Sequence, residues 1–333
     1  MPPCRETKTA QKIYKIFSYS IVKRAILLYN RGEEVLSFGD SILAKFPSLP
    51  HCRDFCFDGY TTLGVGGGAP LALFPRCAEE LSALVCFLQS EKLPHRVVGN
   101  GSNILAADAG FCGAIVAASR MRGIRCQGEL AEAECGVSVS ALLRVCAEHG
   151  LGGIGFMAGI PAAVGGAVYM NAGAQERCIA ECIESVRIAE GGRVFELKAG
   201  ECGFSYKHSA FMESGSCILS AKFRLQKGAV QSILSDIRAA LRRREGLPRG
   251  KSCGCVFKNG SGYTAGELIE RAGMKGAACG GAFVSGAHAN FIINGGGASA
   301  ADCLALIGRI RAAVAASSRI LLQEEICYIG DFA

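Results

Sequence analysis

Between Gly150 and Gln175 the chain carries no charged residue, eight glycines, one proline and one asparagine (GLGGIGFMAGIPAAVGGAVYMNAGAQ). By length alone such a stretch could cross a membrane, and it has the small-xxx-small spacings that membrane helices use. The glycines, the central Pro161 and the polar Asn171 argue otherwise, because glycine and proline both disfavour a continuous helix. The expectation is a tightly turning loop whose backbone packs closely against other backbone or against a flat ligand. A close-packed core turn is the alternative. The density of small residues from Gly159 to Ala174 favours the ligand.

Two more glycine clusters precede it. Gly64 to Ala69 (GVGGGA) formally fits the dinucleotide pattern GxGxxA. That pattern needs a helix opening inside it, whereas Pro70 and the apolar LALFP read as a strand, so a Rossmann site is not expected. The run Gly99-Asn100-Gly101-Ser102-Asn103 is better placed, directly after an apolar strand ending at Val98. Glycines there leave backbone N–H groups free for an anion, and Ser102 and Asn103 add donors. In isolation an ordinary turn would read the same way.

Composition narrows the classes. The chain has 333 residues, enough for two or three cores, and half of them are hydrophobic. The formal charge of +7 suits anionic small molecules. No basic run is interleaved with aromatics and there is no tryptophan, so nucleic acid is not an expected partner. The eighteen cysteines include no CxxC pair. Cys52 with Cys56, and Cys178 with Cys182, lack the companion ligands of a zinc site, so no metal is expected. The cysteines mostly replace small apolar residues, as expected in a reducing cytoplasm. Lysines recur through the first 23 residues without a clean apolar stretch, so no secretory signal is expected.

Periodicity predicts helices over 77–91, 138–149, 229–245, 264–274 and 299–316. It predicts strands over 217–225, 283–294 and 319–329, and a hairpin over 183–198 turning at Gly191-Gly192. The expected divisions are a basic lead-in of unassigned role (1–45) and three parts, 46–116, 117–226 and 227–333.

Taken in order, the three glycine clusters resemble the FAD-binding part of the UDP-N-acetylenolpyruvoylglucosamine reductases. The family pattern runs Thr-Thr before a glycine pair, then GxGSN, then GIPGxxGGAxxMNAGA. This chain has Thr61-Thr62 with Gly66-Gly67, then GNGSN, then GIPAAVGGAVYMNAGA. FSYKHSAF (204–211), SCGCVFKN (252–259), AGELIERAGMKG (265–276), HANFIIN (288–294) and LLQEEICYIG (321–330) follow in family order, so the resemblance covers about residues 55–330. It implies an α+β fold: a two-part FAD-binding domain of the vanillyl-alcohol-oxidase/PCMH type (46–116 and 117–226) and a C-terminal α+β substrate domain (227–333). The short gap between the fourth and fifth motifs resembles the subclass without an extra substrate-covering loop.

The resemblance also implies the activity: NADPH-dependent, FAD-mediated reduction of UDP-N-acetylglucosamine enolpyruvate to UDP-N-acetylmuramate, in peptidoglycan precursor synthesis. It implies a cytoplasmic enzyme acting on a UDP-sugar, not inserted in a membrane, and expected to be a monomer. Cofactor binding maps onto Thr62, Gly99, Asn100, Gly101, Ser102, Asn103, Gly159, Ile160, Pro161, Gly165, Gly166 and Asn171. Substrate binding maps onto Tyr206, Lys258 and Asn259.

The catalytic positions map onto Lys207, Cys255 and Glu325, with two departures. Lys207 stands where the family has arginine, keeping the charge but not the bidentate fork. Cys255 stands where it has a serine proton donor; a thiol with an ordinary pKa of about 8.5 is mostly protonated at neutral pH and can still donate. Arg244, Arg249 and Lys251 face either the substrate diphosphate or solvent. His288 is read as structural. The alternatives are another FAD-dependent sugar or hydroxy-acid oxidase or dehydrogenase, and a catalytically inactive flavoprotein.

Overall fold

The computed structural model describes residues 38–332. Most of the lead-in (residues 1–37) lies outside these. The chain falls into two compact units, Met1–Leu49 and Pro50–Ala333. In the first, a helix spans Phe38–Lys45, with Asp40 in its first turn and Lys45 in its last, both favourable to the helix dipole.

The second unit contains three larger sheets. In the first, His51–Cys56 pairs antiparallel with Gly68–Leu73, which lies parallel to Ala114–Ala117 and through it to His95–Val98. The run predicted after the first glycine cluster is therefore a strand. All four residues of Ala114–Ala117 are buried, as a central strand requires. That strand spans Ala114–Ala117 and is followed directly by the short 3₁₀ turn Ala118–Arg120.

The second sheet is antiparallel, in the order 193–198, 183–190, 217–224, 130–134, 124–127. The predicted hairpin forms, and Gly191 and Gly192 have φ of 55° and 79°, which the tight turn requires. The helix Ala78–Ser90 packs on this sheet and buries Leu81, Leu84, Val85 and Leu88. Each such side chain contributes about 1.5–3 kcal/mol.

The third sheet is the short antiparallel set 278–279, 282–284 and 292–294. It packs with helices Ala265–Arg271 and Ala300–Ser318 around a core that includes Leu63, Val65 and Leu105 from the earlier sequence. The strand expected over 283–294 is in fact two strands, Ala282–Val284 and Ile292–Asn294, paired antiparallel. The loop between them is turned by Ser285 Oγ, which accepts from Ala287 N at 3.1 Å.

The strand expected over 319–329 is only Cys327–Ile329. It runs parallel to Ile104–Ala106, returning the end of the chain to the segment that follows the GNGSN loop. The residues before it make single bridges rather than a ladder, such as Phe257 with Glu324. The glycine-rich stretch from Gly150 forms short elements, the longest being the six-residue helix Val164–Tyr169. Among the described residues no helix is long and apolar enough to cross a membrane.

Candidate active site

The glycine clusters converge. Thr62 N donates to Gly101 O at 3.2 Å, Tyr60 OH donates to Gly99 O, and Asn100 Nδ2 donates to Pro161 O at 3.3 Å. Gly101 has φ of 65°, and a Cβ there would stand 3.0 Å from Thr61 Cα, so two of the loops meet where only glycine fits. Gly165 packs against Cys135, where a Cβ would approach within 2.8 Å; a Cβ on Gly166 would meet nothing within 4 Å. The N–H groups of residues 99–103 donate to no acceptor among the described residues. Free N–H groups beside open space at a glycine fit a cofactor diphosphate and a flat ring.

Three further predicted cofactor residues also spend their side chains inside the protein. Asn171, 3% exposed, donates from Nδ2 to Ser205 O at 2.7 Å, and its Oδ1 accepts from Ala180 N at 3.2 Å. Asn103 Nδ2 donates to Glu325 O at 3.1 Å. Thr62 Oγ1 likewise donates to Ser252 O at 2.6 Å.

The catalytic candidates meet. Tyr206 and Lys207 form the two central residues of a turn closed by Ser205 N to His208 O at 3.1 Å and His208 N to Ser205 O at 3.2 Å. Lys207 takes a left-handed φ of 53°. The turn is tied down by Asn171 and by Ser209 Oγ, which donates to Tyr169 O at 2.6 Å. From this turn Lys207 Nζ reaches Glu325 Oε1 at 2.7 Å. Glu325 is held in turn by its own N–H, which donates to Val256 O at 2.7 Å, one residue beyond Cys255.

Cys255 is half-buried, and burial followed by the nearby Glu325 carboxylate pushes its thiol up to about 11, against the opposing pull of Lys207 and Arg244. The ordinary thiol value expected from sequence is thus corrected upward, because desolvation disfavours the thiolate. Burial lowers the Arg244 guanidinium from its ordinary value. Its side chain lies across Gly159, whose Cβ would stand 2.9 Å from Arg244 Cδ. Arg249 and Lys251 are exposed.

The substrate candidates border the same place. Lys258 Nζ donates to Lys207 O at 3.3 Å, and Asn259 N donates to Tyr206 OH at 3.2 Å. Asn259 Oδ1 accepts from Ala265 N at 2.9 Å, at the start of Ala265–Arg271. Sequence reasoning passed over Cys327, whose thiol is pushed up to about 11 by burial and by Glu325. The alternation of Glu325 and Cys327 two residues apart was the available signal. Among the described residues no group of three or more His, Cys, Asp or Glu could hold a metal.

Comparison with known proteins finds the same pattern. Residues 247–329 match the family model "UDP-N-acetylenolpyruvoylglucosamine reductase, C-terminal domain", and residues 69–197 match "FAD binding domain". The chain is 40% identical over 290 residues to a UDP-N-acetylenolpyruvoylglucosamine reductase of Caldicellulosiruptor saccharolyticus, covering 86% of this chain and 94% of that protein. It is 42% identical over 275 residues to one of Moorella thermoacetica, covering 82% and 91%. The crystal structure of UDP-N-acetylenolpyruvylglucosamine reductase from Thermus caldophilus matches with a TM-score of 0.73 at 33% identity, covering 84% of this chain and 98% of that one.

Proposed function

The chain belongs to the UDP-N-acetylenolpyruvoylglucosamine reductase family, and from that membership we propose that Lys207, Cys255 and Glu325 carry the proton and charge chemistry of its reaction. The enzyme is an FAD-dependent reductase of peptidoglycan synthesis, converting UDP-N-acetylglucosamine enolpyruvate to UDP-N-acetylmuramate with NADPH as reductant. The chemistry supplied by FAD when bound is hydride transfer, taken from NADPH and delivered to the terminal carbon of the enolpyruvyl group.

FAD would be held by the free backbone N–H groups of Gly99 to Asn103, by Ser102, by the Gly159-Ile160-Pro161 turn, by Gly165-Gly166 and beside Thr62. Hydride addition places negative charge on the carbon beside the substrate carboxylate. The Lys207 ammonium, fixed by Glu325, offsets that charge. Cys255 holds the proton that completes the saturated product, and burial beside Glu325 keeps that proton on sulfur at neutral pH. Lys207 and Arg244 stabilise the thiolate as it forms. Tyr206, Lys258 and Asn259 border the space for the nucleotide sugar, and Arg244 is placed for its anionic groups. The parts 46–116, 117–226 and 227–333 are read as two FAD-binding subdomains and a substrate domain, in a cytoplasmic monomer.

The observation that supports this reading best is the 2.7 Å contact of Lys207 with Glu325 from distant segments, with the Glu325 N–H donating to Val256 O, next to Cys255 in the chain. The test is the visible spectrum of the purified protein under anaerobic conditions. Bleaching of bound flavin by NADPH and recolouring by the enolpyruvyl nucleotide sugar are expected. Flavin that bleaches but recolours only with oxygen and a sugar or hydroxy acid would point to an oxidase instead.

A further inference from the structure

Two asparagines on the glycine-rich loops direct their amides at the main chain of the catalytic segments. Asn171 is nearly fully buried, has a left-handed φ of 42°, and donates to Ser205 O at 2.7 Å. Ser205 is the first residue of the turn that presents Lys207. Asn103 grips the opposite segment twice: Nδ2 donates to Glu325 O at 3.1 Å, and its own carbonyl accepts from Cys327 N at 2.9 Å. The residues held at the far ends, Lys207 and Glu325, are the two that touch at 2.7 Å.

We infer that Asn171 and Asn103 are positioning residues: Asn171 holds Lys207 through Ser205, Asn103 holds Glu325 through its carbonyl, and together they register the ion pair against the loops that bind the cofactor. This rests on the roles proposed above for Lys207 and Glu325. The physical need is clear. Hydride and proton arrive from different groups on adjacent carbons, and a misplacement of about 1 Å can cost about 10²-fold in rate. A lysine side chain alone is too flexible to fix that distance, whereas a turn clamped at Ser205 and Ser209 is not.

The test uses Asn171→Gly, which tolerates the left-handed backbone, and Asn103→Ala. Asn171→Asp serves should the glycine variant fail to fold: it keeps the acceptor for Ala180 and puts a carboxylate oxygen, which repels the Ser205 carbonyl, in place of the donor. Measured per bound FAD, the rate of flavin reduction by NADPH is expected to stay within about threefold of wild type, while reoxidation by the enolpyruvyl nucleotide slows by about 10- to 100-fold. Equal slowing of both half-reactions per bound FAD would overturn the inference in favour of a general structural role.

A second readout needs no cofactor. The pH dependence of Cys255 alkylation by iodoacetamide is followed in FAD-free protein by peptide mass spectrometry. The charged groups acting on this thiol are Glu325, Lys207 and Arg244. Withdrawing Lys207 through Asn171→Gly should move the alkylation midpoint up, and withdrawing Glu325 through Asn103→Ala should move it down. Midpoints unchanged from wild type would sink the inference. Should wild-type enzyme fail to reduce the enolpyruvyl nucleotide, the function is wrong, yet the opposite shifts would still show the positioning.

Discussion

Lys207 Nζ stands 2.7 Å from Glu325 Oε1, and both side chains are largely withdrawn from water. The strand-turn that presents the lysine and the irregular segment that presents the glutamate are far apart in sequence, so the pair exists only once the second and third sheets are in place. Removing one partner leaves a poorly solvated charge, which costs about 3 kcal/mol, the low end for a buried pair because some exposure remains. Lys207→Ala should therefore lower the urea midpoint. It should also reduce turnover by about 10²- to 10³-fold, the scale for losing one charge-stabilising donor. Bound FAD should be retained. A variant that turns over normally would remove Lys207 from the mechanism.

Cys255→Ala should leave reduction by NADPH intact and slow reoxidation by substrate by about 10²- to 10⁴-fold, the usual range for a lost general acid. Burial and Glu325 hold the thiol up at about 11, so the wild-type reoxidation rate should be flat from pH 7 to about pH 9.5 and fall only beyond. Stopped-flow rates across that range decide it. A fall centred near the ordinary thiol value would assign the proton to another group.

Alkaline stability follows from the same physics on a larger scale. Burial raises Cys146, Cys217, Cys253 and Cys303 from 9.0 to about 12. Above pH 9 the unfolded chain gives up these protons while the folded chain keeps them, so the unfolded state binds fewer and stability falls as pH rises. The stabilisation is whole below about pH 9 and is lost progressively toward pH 12, each thiol contributing up to about 1.4 kcal/mol per pH unit. Urea midpoints at pH 8 and pH 10 should show the drop, and Cys253→Ala should make it shallower. An identical pH slope in that variant would refute the assignment.

How much of this was legible in the sequence depended on how local the signal was. The helix at Ala78–Ser90 and the hairpin at Gly191-Gly192 are written in periodicity and turn chemistry, which act over a few residues. The assignment of Lys207, Cys255 and Glu325 to one reaction came from motif resemblance. Their meeting, and the direction of the Cys255 shift, depend on tertiary burial that no local pattern encodes. Asn171 and Asn103 read as ligand donors because a polar side chain on a glycine loop has two possible customers, ligand or distant backbone. Only the folded chain shows Ser205 and Glu325 opposite them. The 319–329 run looked like one strand because apolar content is blind to partners; Leu321 is exposed, Glu324 makes a single bridge to Phe257, and a continuous ladder begins only at Cys327.

Adjacent glycines offer a clean separation of folding from cofactor binding. A methyl on Gly165 would run into Cys135 at 2.8 Å, whereas one on Gly166 would meet no protein atom within 4 Å. Gly165→Ala should destabilise the fold by about 1–3 kcal/mol through overpacking. Gly166→Ala should melt at the wild-type temperature or slightly above it, because alanine favours the helix. If the open space at Gly166 is where the cofactor packs, that same variant should purify with weakened FAD binding, measured by fluorescence titration. Wild-type affinity in Gly166→Ala would move the cofactor away from this glycine.

Asp108 joins the first part of the chain to the last long helix. Its two carboxylate oxygens accept from Ala300 N at 2.7 Å and Ala301 N at 2.9 Å, while Ser299 and Asp302 close a reciprocal capping box at the same end. Two of the otherwise unpaired N–H groups of Ala300–Ser318 are thus satisfied from a loop that follows Ile104–Ala106, and the negative charge suits the positive helix end. Losing a cap of this kind costs about 1–2 kcal/mol. Asp108→Ala should lower the unfolding free energy by that amount in urea titration, with FAD affinity kept, because the residue lies outside the glycine loops. Asp108→Asn should recover part of the loss, since an amide oxygen still accepts from one N–H but brings no charge. If both variants unfold with wild-type midpoints, Ser299 and Asp302 suffice as the cap and the link through Asp108 adds no stability.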